Sequence, residues 1–264
     1  MKGARDVILS GVKSFDNAGS GIGMTVDGAR WSDGVTVENC EVYRNGSLAD
    51  YHNGIGGVGV NVTIRNCDIY DNAFDCAAEP SGETADNFKQ LCHGIYFVRG
   101  SVCPDCQTDN VVIEGNRIYN NNFGNGISSS ADNVSIKKNM VYGNSSTGIL
   151  VSAQENAGRI DIENNVVYDN FNGIRLHDFS FNEGADVYIQ NNTIFNNNKE
   201  FPGNLATPPS NYDLNVRVQP QRLHVINNVL YNTDDISLMS FKESLAGKDF
   251  VTSNNCFYRD CLLY

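Results

Sequence analysis

Apolar and polar residues alternate in short stretches along the chain, and the same stretch recurs nine times. In the third copy, apolar Val62 and Ile64 alternate with polar Thr63 and Arg65. A two-residue period is typical of a half-buried β-strand and not of a helix. Each copy is therefore predicted to contribute a strand that turns one face to a core. The copies begin at Val7, Val35, Val62, Val111, Val134, Ile160, Val187, Leu223 and Phe250.

Two further positions in the copies have a fixed chemistry. An aromatic residue stands eight positions after every start, from Phe15 to Tyr258. Stacked copies bring equivalent residues above one another, and stacked Asn side chains can form amide ladders. The repeat therefore predicts a stack of coils with a column of Asn at one corner. The position five residues after the start holds Asn116, Asn139, Asn165, Asn192, Asn228 and Asn255, with Cys40 and Cys67 in two earlier copies.

A second short strand, which begins with Gly-Ile, precedes most copies. Leucine-rich repeats have a similar period but need a Leu framework, and propeller blades are longer. Three short strands per unit instead predict an all-β fold, a right-handed parallel β-helix (a solenoid) of about nine coils, on the order of 40 Å long. We expect a single domain over residues 1–264, with loop insertions near residues 73–110 and 198–222. The Gly-Ile pairs are Gly21-Ile22, Gly54-Ile55, Gly94-Ile95, Gly126-Ile127, Gly148-Ile149 and Gly173-Ile174.

Composition narrows the possible partners. The net charge is −12, which argues against nucleic acid because its phosphates require a basic surface. No apolar run approaches 18 residues, so no membrane span is predicted. No signal peptide is visible, and little sequence lies outside the repeats to build caps. These features predict a processed form or a piece of a longer chain.

Eight cysteines favour an oxidising compartment, and we expect a secreted or periplasmic protein. Cys40 and Cys67 occupy one repeat position in successive coils, which fits either a disulfide or two buried thiols. Cys256 and Cys261 are placed to close the C-terminal edge. In the first insertion two disulfides are favoured, and a tetrahedral Zn²⁺ site is the alternative. The cysteines concerned are Cys76, Cys92, Cys103 and Cys106.

The repeats resemble those of the pectate-lyase-like right-handed β-helix superfamily. The units from Val134 to Asn144 (VSIKKNMVYGN) and from Ile160 to Asn170 (IDIENNVVYDN) match its pattern of an alternating strand, paired Asn and an aromatic-x-Asn. The resemblance covers nearly the whole chain and implies glycan binding on the exposed side of the Gly-Ile strands. Members include polysaccharide lyases, uronate C5-epimerases, glycoside hydrolases, tailspike enzymes and non-catalytic surface proteins. The Asp-Pro-His-Asp motif of alginate epimerases is absent, and only Asp234-Asp235 and His93-Gly94 match the polygalacturonase motifs.

On that side of the Gly-Ile strands, the segment GIRLHD is the densest chemical cluster. It holds Arg175, His177 and Asp178, which with Glu155 are the predicted catalytic residues. Asp132, Glu155 and Asp178 follow the strands of successive coils and are predicted to bind Ca²⁺ or to supply a general acid and base. A solvated turn at the strand ends is the alternative. The predicted substrate-binding residues are Tyr96, His93, Arg99 and Asp132.

These features predict a carbohydrate-active enzyme whose partner is a polysaccharide or oligosaccharide. The leading chemistry is β-elimination or epimerisation on a uronate-containing polymer, which needs carboxylate neutralisation and proton transfer at C5. Arg175 or Ca²⁺ would neutralise the carboxylate, and His177 would transfer the proton. A glycoside hydrolase with paired carboxylates is one alternative. A non-catalytic β-solenoid that binds glycan or serves as a surface or accessory protein is another. The sequence does not indicate the oligomeric state.

Overall fold

The computed structural model of the protein describes twelve segments of the chain. All regular structure in them is β-strand, and no described residue belongs to a helix that could cross a membrane. The side chains of Ala153, Asp178 and Arg259 fall outside the description. The described segments are 1–25, 31–46, 52–72, 93–98, 108–122, 124–153, 158–178, 185–199, 212–217, 220–233, 237–241 and 249–259.

The strands are short, and most coils contain three of them. In chain order they are β1 (Ile8–Ser10), β2 (Lys13–Phe15), β3 (Ile22–Met24), β4 (Ser32–Asp33), β5 (Thr36–Glu38), β6 (Glu41–Tyr43), β7 (Ile55–Gly57), β8 (Gly59–Arg65), β9 (Asp68–Tyr70), β10 (Ile95–Phe97), β11 (Asp109–Glu114), β12 (Arg117–Tyr119), β13 (Ile127–Ser129), β14 (Val134–Lys137), β15 (Met140–Tyr142), β16 (Thr147–Ala153), β17 (Arg159–Glu163), β18 (Val166–Tyr168), β19 (Asn172–Asp178), β20 (Asp186–Gln190), β21 (Thr193–Phe195), β22 (Tyr212–Val216), β23 (Arg222–Ile226), β24 (Val229–Asn232), β25 (Ser237–Phe241), β26 (Asp249–Ser253) and β27 (Cys256–Arg259).

These strands form three parallel sheets. Sheet 1 has the order β1-β5-β8-β11-β14-β17-β20-β23-β26, with β4 also paired to β8. Sheet 2 has the order β2-β6-β9-β12-β15-β18-β21-β24-β27, and sheet 3 has the order β3-β7-β10-β13-β16-β19-β22-β25. A parallel β-helix of nine coils, as the sequence predicts, is confirmed.

The core is a set of stacked apolar columns. Ile136 in β14 is in register with Ile113 on one side and Ile162 on the other, and all three side chains are fully buried. Equivalent columns of Val and Ile line sheets 2 and 3. Because each coil covers the open face of its neighbour, stability is approximately a sum of nearest-neighbour contacts.

The predicted Asn column is confirmed. The Nδ2 of Asn116 donates to the Oδ1 of Asn139, whose Nδ2 donates to Asn165, and the series continues through Asn192 to Asn228 and Asn255 with distances of 3.0–3.1 Å. We call these six residues the Asn ladder. Each amide is also tied to a backbone carbonyl of the preceding coil, as Asn139 is to Ile113. In this column Cys40 and Cys67 are buried free thiols. Of the two predicted alternatives, the structure therefore has the thiols and not the disulfide.

The described part of the predicted loop insertion 198–222 contains a strand of the core. It contains β22, which pairs with β19 and β25 and supplies fully buried Leu214 and Val216 to the core. Its entry residues are Asp213-Leu214 where other coils have Gly-Ile. The Gly-Ile signal was therefore absent, and the prolines nearby favoured a loop.

Candidate functional site

The candidate site lies on the outer face of sheet 3. Inward residues such as Ile149, Val151, Ile174 and Leu176 are buried in the core, so the residues between them point out. The pairing register defines two outward rows. The first holds Tyr96, Ser128, Leu150, Arg175 and Asn215, and the second holds Val98, Ser130, Ser152, His177 and Arg217.

Arg175 and His177 stand side by side at the centre of this face. They are separated on β19 by Leu176, whose side chain is 1% exposed and anchors the strand in the core. Strand alternation therefore directs both functional side chains to the same side of the sheet. Both are half-buried. The prediction that these two residues share one outer face agrees with this placement.

Several outward side chains of sheet 3 are shielded from solvent. Ser152, which is in register with His177, is 5% exposed, and Leu150, which is in register with Arg175, is 8% exposed. Ser128 and Ser130 on the preceding coil are each 7% exposed. A charge held against these shielded side chains is screened less by water than one on an open surface.

Charge is distributed unevenly among the three outer faces. On sheets 1 and 2 cations are paired with carboxylates, for example Arg65 with Glu38 at 2.6 Å and Lys138 with Glu114 at 2.8 Å. Within the described part of the two outward rows of sheet 3, the charged residues are Arg175 and Arg217, and no carboxylate occurs. These two guanidinium groups are donors that an anionic ligand can contact.

His93 and Tyr96 are predicted substrate-binding residues, and the structure places them together. Their ring centroids are 4.7 Å apart. His93 is 4% exposed, and its Nδ1 accepts a hydrogen bond of 3.0 Å from the backbone N–H of Asn125 on the next coil. Its own backbone N–H donates to Oδ1 of Asn53 on the preceding coil. With Nδ1 as an acceptor, the proton of a neutral His93 is on Nε2. His93 is therefore held by both neighbouring coils, and its ring contacts the ring of Tyr96.

The acidic residues do not form the single column that the sequence suggested. Ser129 is in register with Val151, and Val151 with Leu176. Asp132 lies three residues after Ser129, whereas Asp178 lies two residues after Leu176. Asp132 and Asp178 are therefore two coils apart and are also offset by one residue along the strand direction. Asp132 lies five residues after Ile127 and Asp178 four residues after Ile174, and this difference in spacing causes the offset. Asp132 is 5% exposed.

The remaining predicted residues are only partly described. Asp178 is the last residue of β19, in register with Ala153, and its side chain is outside the description. Within the described residues no group of three or more His, Cys, Asp and Glu is placed to hold a metal ion. The Ca²⁺ site, and the disulfide or Zn²⁺ alternatives of the first insertion, stay predictions. Arg99, Glu155, Cys76, Cys92, Cys103, Cys106 and Cys261 lie outside the described residues.

Two residues of this face were missed by sequence reasoning. Asn215 is in register with Arg175, and Arg217 takes the next outward position, one residue beyond the end of β22. Arg217 is exposed, and its backbone N–H donates to the carbonyl of Leu176 at 2.9 Å. The signal that would have found them is the alternation of Leu214 and Val216 with polar residues, which predicts a strand even without Gly-Ile.

Comparison with known proteins agrees with this architecture. No curated protein matches the chain in sequence. Among solved structures, the A-module of the mannuronan C-5 epimerase AlgE6 of Azotobacter vinelandii is similar with a TM-score of 0.61 and 15% identity, over 96% of this chain and 65% of that one. The Dettilon tailspike protein gp208 is similar with a TM-score of 0.51 and 15% identity, over 98% of this chain and 49% of that one. This chain thus spans less than two thirds of either protein.

At these identities the two solved structures show a shared fold and nothing finer. A family model described as "Right handed beta helix region" matches residues 1–228, which is most of the chain. The matched residues include the Gly-Ile strands, most of the Asn ladder and the whole of β19. The chain therefore belongs to the right-handed β-helix family.

Proposed function

We propose that this protein is a carbohydrate-active enzyme that acts on a uronate-containing polysaccharide by β-elimination or C5 epimerisation. The observation that carries the proposal is the pair Arg175 and His177, side by side on β19 and half-buried. A uronate polymer is an anion, and Arg175 and Arg217 on the outer face of sheet 3 are groups that can contact its carboxylates. A protein of the same fold is a mannuronan C-5 epimerase, which makes a uronate chain the first substrate to test.

Both reactions begin with removal of the proton at C5, next to the sugar carboxylate. The anion that forms is stabilised when a fixed cation neutralises that carboxylate. The planar guanidinium of Arg175 matches a carboxylate with two parallel hydrogen bonds. The imidazole of His177 is a group of the kind that accepts a proton in general base catalysis, so it is suited to accept the C5 proton. Elimination then breaks the C4–O bond, and the leaving oxygen takes up a proton from water. In epimerisation water supplies a proton to the opposite face of C5.

Neighbouring residues fit the rest of a polymer chain. Tyr96 and Arg175 are three coils apart in one row, about 14 Å at the usual strand spacing. Tyr96 is therefore too far away to act on the sugar that Arg175 holds, but it offers a ring to another sugar of the same chain. Ser128 and Leu150 lie between them in that row, and the hydroxyl of Ser128 can bond a sugar hydroxyl. Arg217, one coil beyond His177, is placed for the carboxylate of an adjacent uronate.

The glycoside hydrolase alternative receives less support. It needs two carboxyl groups on one face, about 5 to 9.5 Å apart. The described outward rows of sheet 3 hold none, and Asp132 and Asp178 do not share a row. The proposal accordingly favours proton abstraction at C5.

The test uses polymannuronate, polyguluronate and polygalacturonate as substrates, with a neutral polymer, mannan, as a control. Elimination gives an unsaturated sugar that absorbs in the ultraviolet, and epimerisation changes the uronate composition seen by proton NMR. Replacing His177 by Ala should lower the rate about 10² to 10⁴-fold. Val58→Ala, on the same outer face near the N-terminal end, is the matched control and should leave the rate unchanged. Tight binding of one polymer without turnover would instead indicate a non-catalytic glycan-binding protein.

Metal dependence is tested in the same assay with a chelator. If Asp132, Glu155 and Asp178 hold Ca²⁺ that neutralises the sugar carboxylate, chelation should abolish turnover and added Ca²⁺ should restore it. Full activity in the chelator would leave Arg175 as the neutralising group.

A further inference from the structure

A shallow depression of about 290 Å³ lies on the outer face of sheet 1, across β11, β14 and β17. This is a different side of the β-helix from the Arg175 face. The volume is close to the lower end of the range of small-ligand sites, about 300 to 1,000 Å³. It therefore has room for about one sugar ring. The lining residues are Asn110, Val111, Asn133, Val134, Ser135, Arg159 and Asp161.

One wall of this depression is held rigid by neighbouring coils. The guanidinium of Arg159 lies over the ring of Tyr188 at 4.2 Å, and its Nε donates to both carboxylate oxygens of Asp161 at 2.8 and 3.1 Å. Arg222 in turn donates from Nη1 to the hydroxyl of Tyr188 at 3.3 Å. Groups that are fixed before a ligand arrives lose little entropy on binding.

Polar groups around the depression keep unused hydrogen-bonding capacity. Among the hydrogen bonds of the described residues, the Arg159 side chain uses Nε alone, which leaves Nη1 and Nη2 as donors. Asp161 is 8% exposed and accepts only from that Nε within the described chain, although a carboxylate has about four acceptor positions. Ser135, in register with Asp161, makes no side-chain hydrogen bond to a described residue. Donors and acceptors thus alternate around one small space.

The charges at the depression select against ionic ligands. Arg159 and Asp161 cancel one another across 2.8 Å, and Asp109 lies next to the rim, where it accepts from the Nδ2 of Asn133. Asp161 and Asp109 repel an anionic ligand, and Arg159 repels a cationic one. A neutral group rich in hydroxyls, each of which donates and accepts, matches the alternation.

We propose that the sheet 1 depression binds a neutral sugar unit and is a second glycan-binding site, separate from the Arg175 face. Two sites on different sides of one rigid β-helix would hold a polysaccharide network by more than one point of contact. The proposal does not require turnover at the Arg175 face, and its test is independent of activity.

The test is an NMR titration of the ¹⁵N-labelled protein with four neutral probes, namely cellohexaose, mannohexaose, maltohexaose and xylohexaose, and with an oligouronate. At least one neutral probe should shift the signals of Ser135, Asp161 and the Nε–H of Arg159, with a Kd on the order of 1 mM for one bound sugar unit. Ser135→Tyr fills the depression from an outward strand position and should weaken binding at least about tenfold. Thr36→Tyr is the matched control, because Thr36 stands in the same outward row three coils away.

Asp161→Asn keeps the shape and the Arg159 contact but removes acceptor capacity, so it should weaken binding about tenfold. If Ser135→Tyr does not fold, binding by Asp161→Asn tests the proposal on its own. Shifts confined to the Arg175 face, equal binding by Ser135→Tyr and wild type, or stronger binding of the oligouronate at this depression would each overturn the proposal. Turnover of polyuronates should be the same in both variants and in the wild type, which separates this site from the proposed activity.

Discussion

At the scale of single residues, the repeat position of the Asn ladder can be filled by either Asn or Cys. In the third coil Cys67 takes the place of Asn, and its Sγ accepts the backbone N–H of Cys40 at 3.4 Å. The backbone N–H of Cys67 donates to Oδ1 of Asn116 at 2.9 Å, as an Asn at this position would. The thiol has no amide to donate to Asn116, so the ladder begins one coil later.

Burial raises the pKa of the Cys67 thiol to about 12, above the value near 8.5 expected in the unfolded chain. The unfolded chain therefore loses this proton first, and the stability held below about pH 8.5 is lost progressively as the pH rises towards 12. Cys67→Asn should flatten this part of the alkaline loss and extend the ladder. Urea unfolding from pH 7 to pH 11 measures both effects. An equal alkaline loss in wild type and variant would show that Cys67 does not cause it.

At the scale of strands, glycine at the start of the Gly-Ile strands is required by packing. A Cβ on Gly126 would lie 2.6 Å from Cγ1 of Val141 and 2.8 Å from the carbonyl oxygen of Gly148. Equivalent close contacts occur at Gly94 and Gly148. The corner between sheets 2 and 3 thus leaves no room for a side chain, and the side-chain amide of Asn144, 2.8 Å from that Cβ position, fills the remaining space.

Gly126→Ala should consequently destabilise the protein by about 1–3 kcal/mol, because overpacking at a rigid corner forces the backbone to move. Gly23→Ala is the matched control, since a Cβ there meets nothing within 4 Å, and its free energy of unfolding should stay near that of wild type. Chemical denaturation of both variants gives the comparison. A Gly126→Ala protein as stable as Gly23→Ala would contradict the packing account.

The repeat predicts the strands well where its markers are intact and poorly where they are replaced. Asn139 and Tyr142 fix a register that the structure reproduces, because an in-register stack repeats each chemistry once per coil. Because Asp213-Leu214 replaces the Gly-Ile pair, the repeat did not predict β22, and Asn215 and Arg217 were missed with it. Asp132 and Asp178 stand five and four residues after the Ile of their Gly-Ile pairs, so strict strand register would have separated them. Arg175 and His177 were found because they lie inside a marked strand.

At the scale of the whole molecule, the three outer faces differ in the side chains that they carry. Sheet 2 carries a column of aromatic rings, with centroids 4.9–5.3 Å apart in the described pairs from Phe15 to Tyr258. Sheet 1 carries many of the ion pairs and the depression. Sheet 3 carries the arginines of the candidate site. One continuous stack of coils makes such a division possible, because a face keeps its direction from coil to coil.

The cysteines of the first insertion give a prediction about the intact chain. If Cys76, Cys92, Cys103 and Cys106 form two disulfides, alkylation of the denatured protein should label four more cysteines after reduction than before it. Intact-mass measurement counts the labels. Cys40 and Cys67 serve as internal controls, because they are free thiols and should be labelled without reductant. Labelling of all eight cysteines before reduction, with zinc released on denaturation, would support the Zn²⁺ alternative.

The central claim is that Arg175 and His177 enable proton removal at C5 of a uronate, and hydrogen exchange at that carbon tests it most directly. The protein is incubated in D₂O with polymannuronate, polyguluronate and polygalacturonate, and C5 is followed by NMR. Wild type should introduce deuterium at C5 or produce an unsaturated chain end in at least one polymer. His177→Ala should do so about 10² to 10⁴ times more slowly. If wild type binds a polymer but leaves every C5 proton in place, or if His177→Ala acts at the wild-type rate, the account is contradicted.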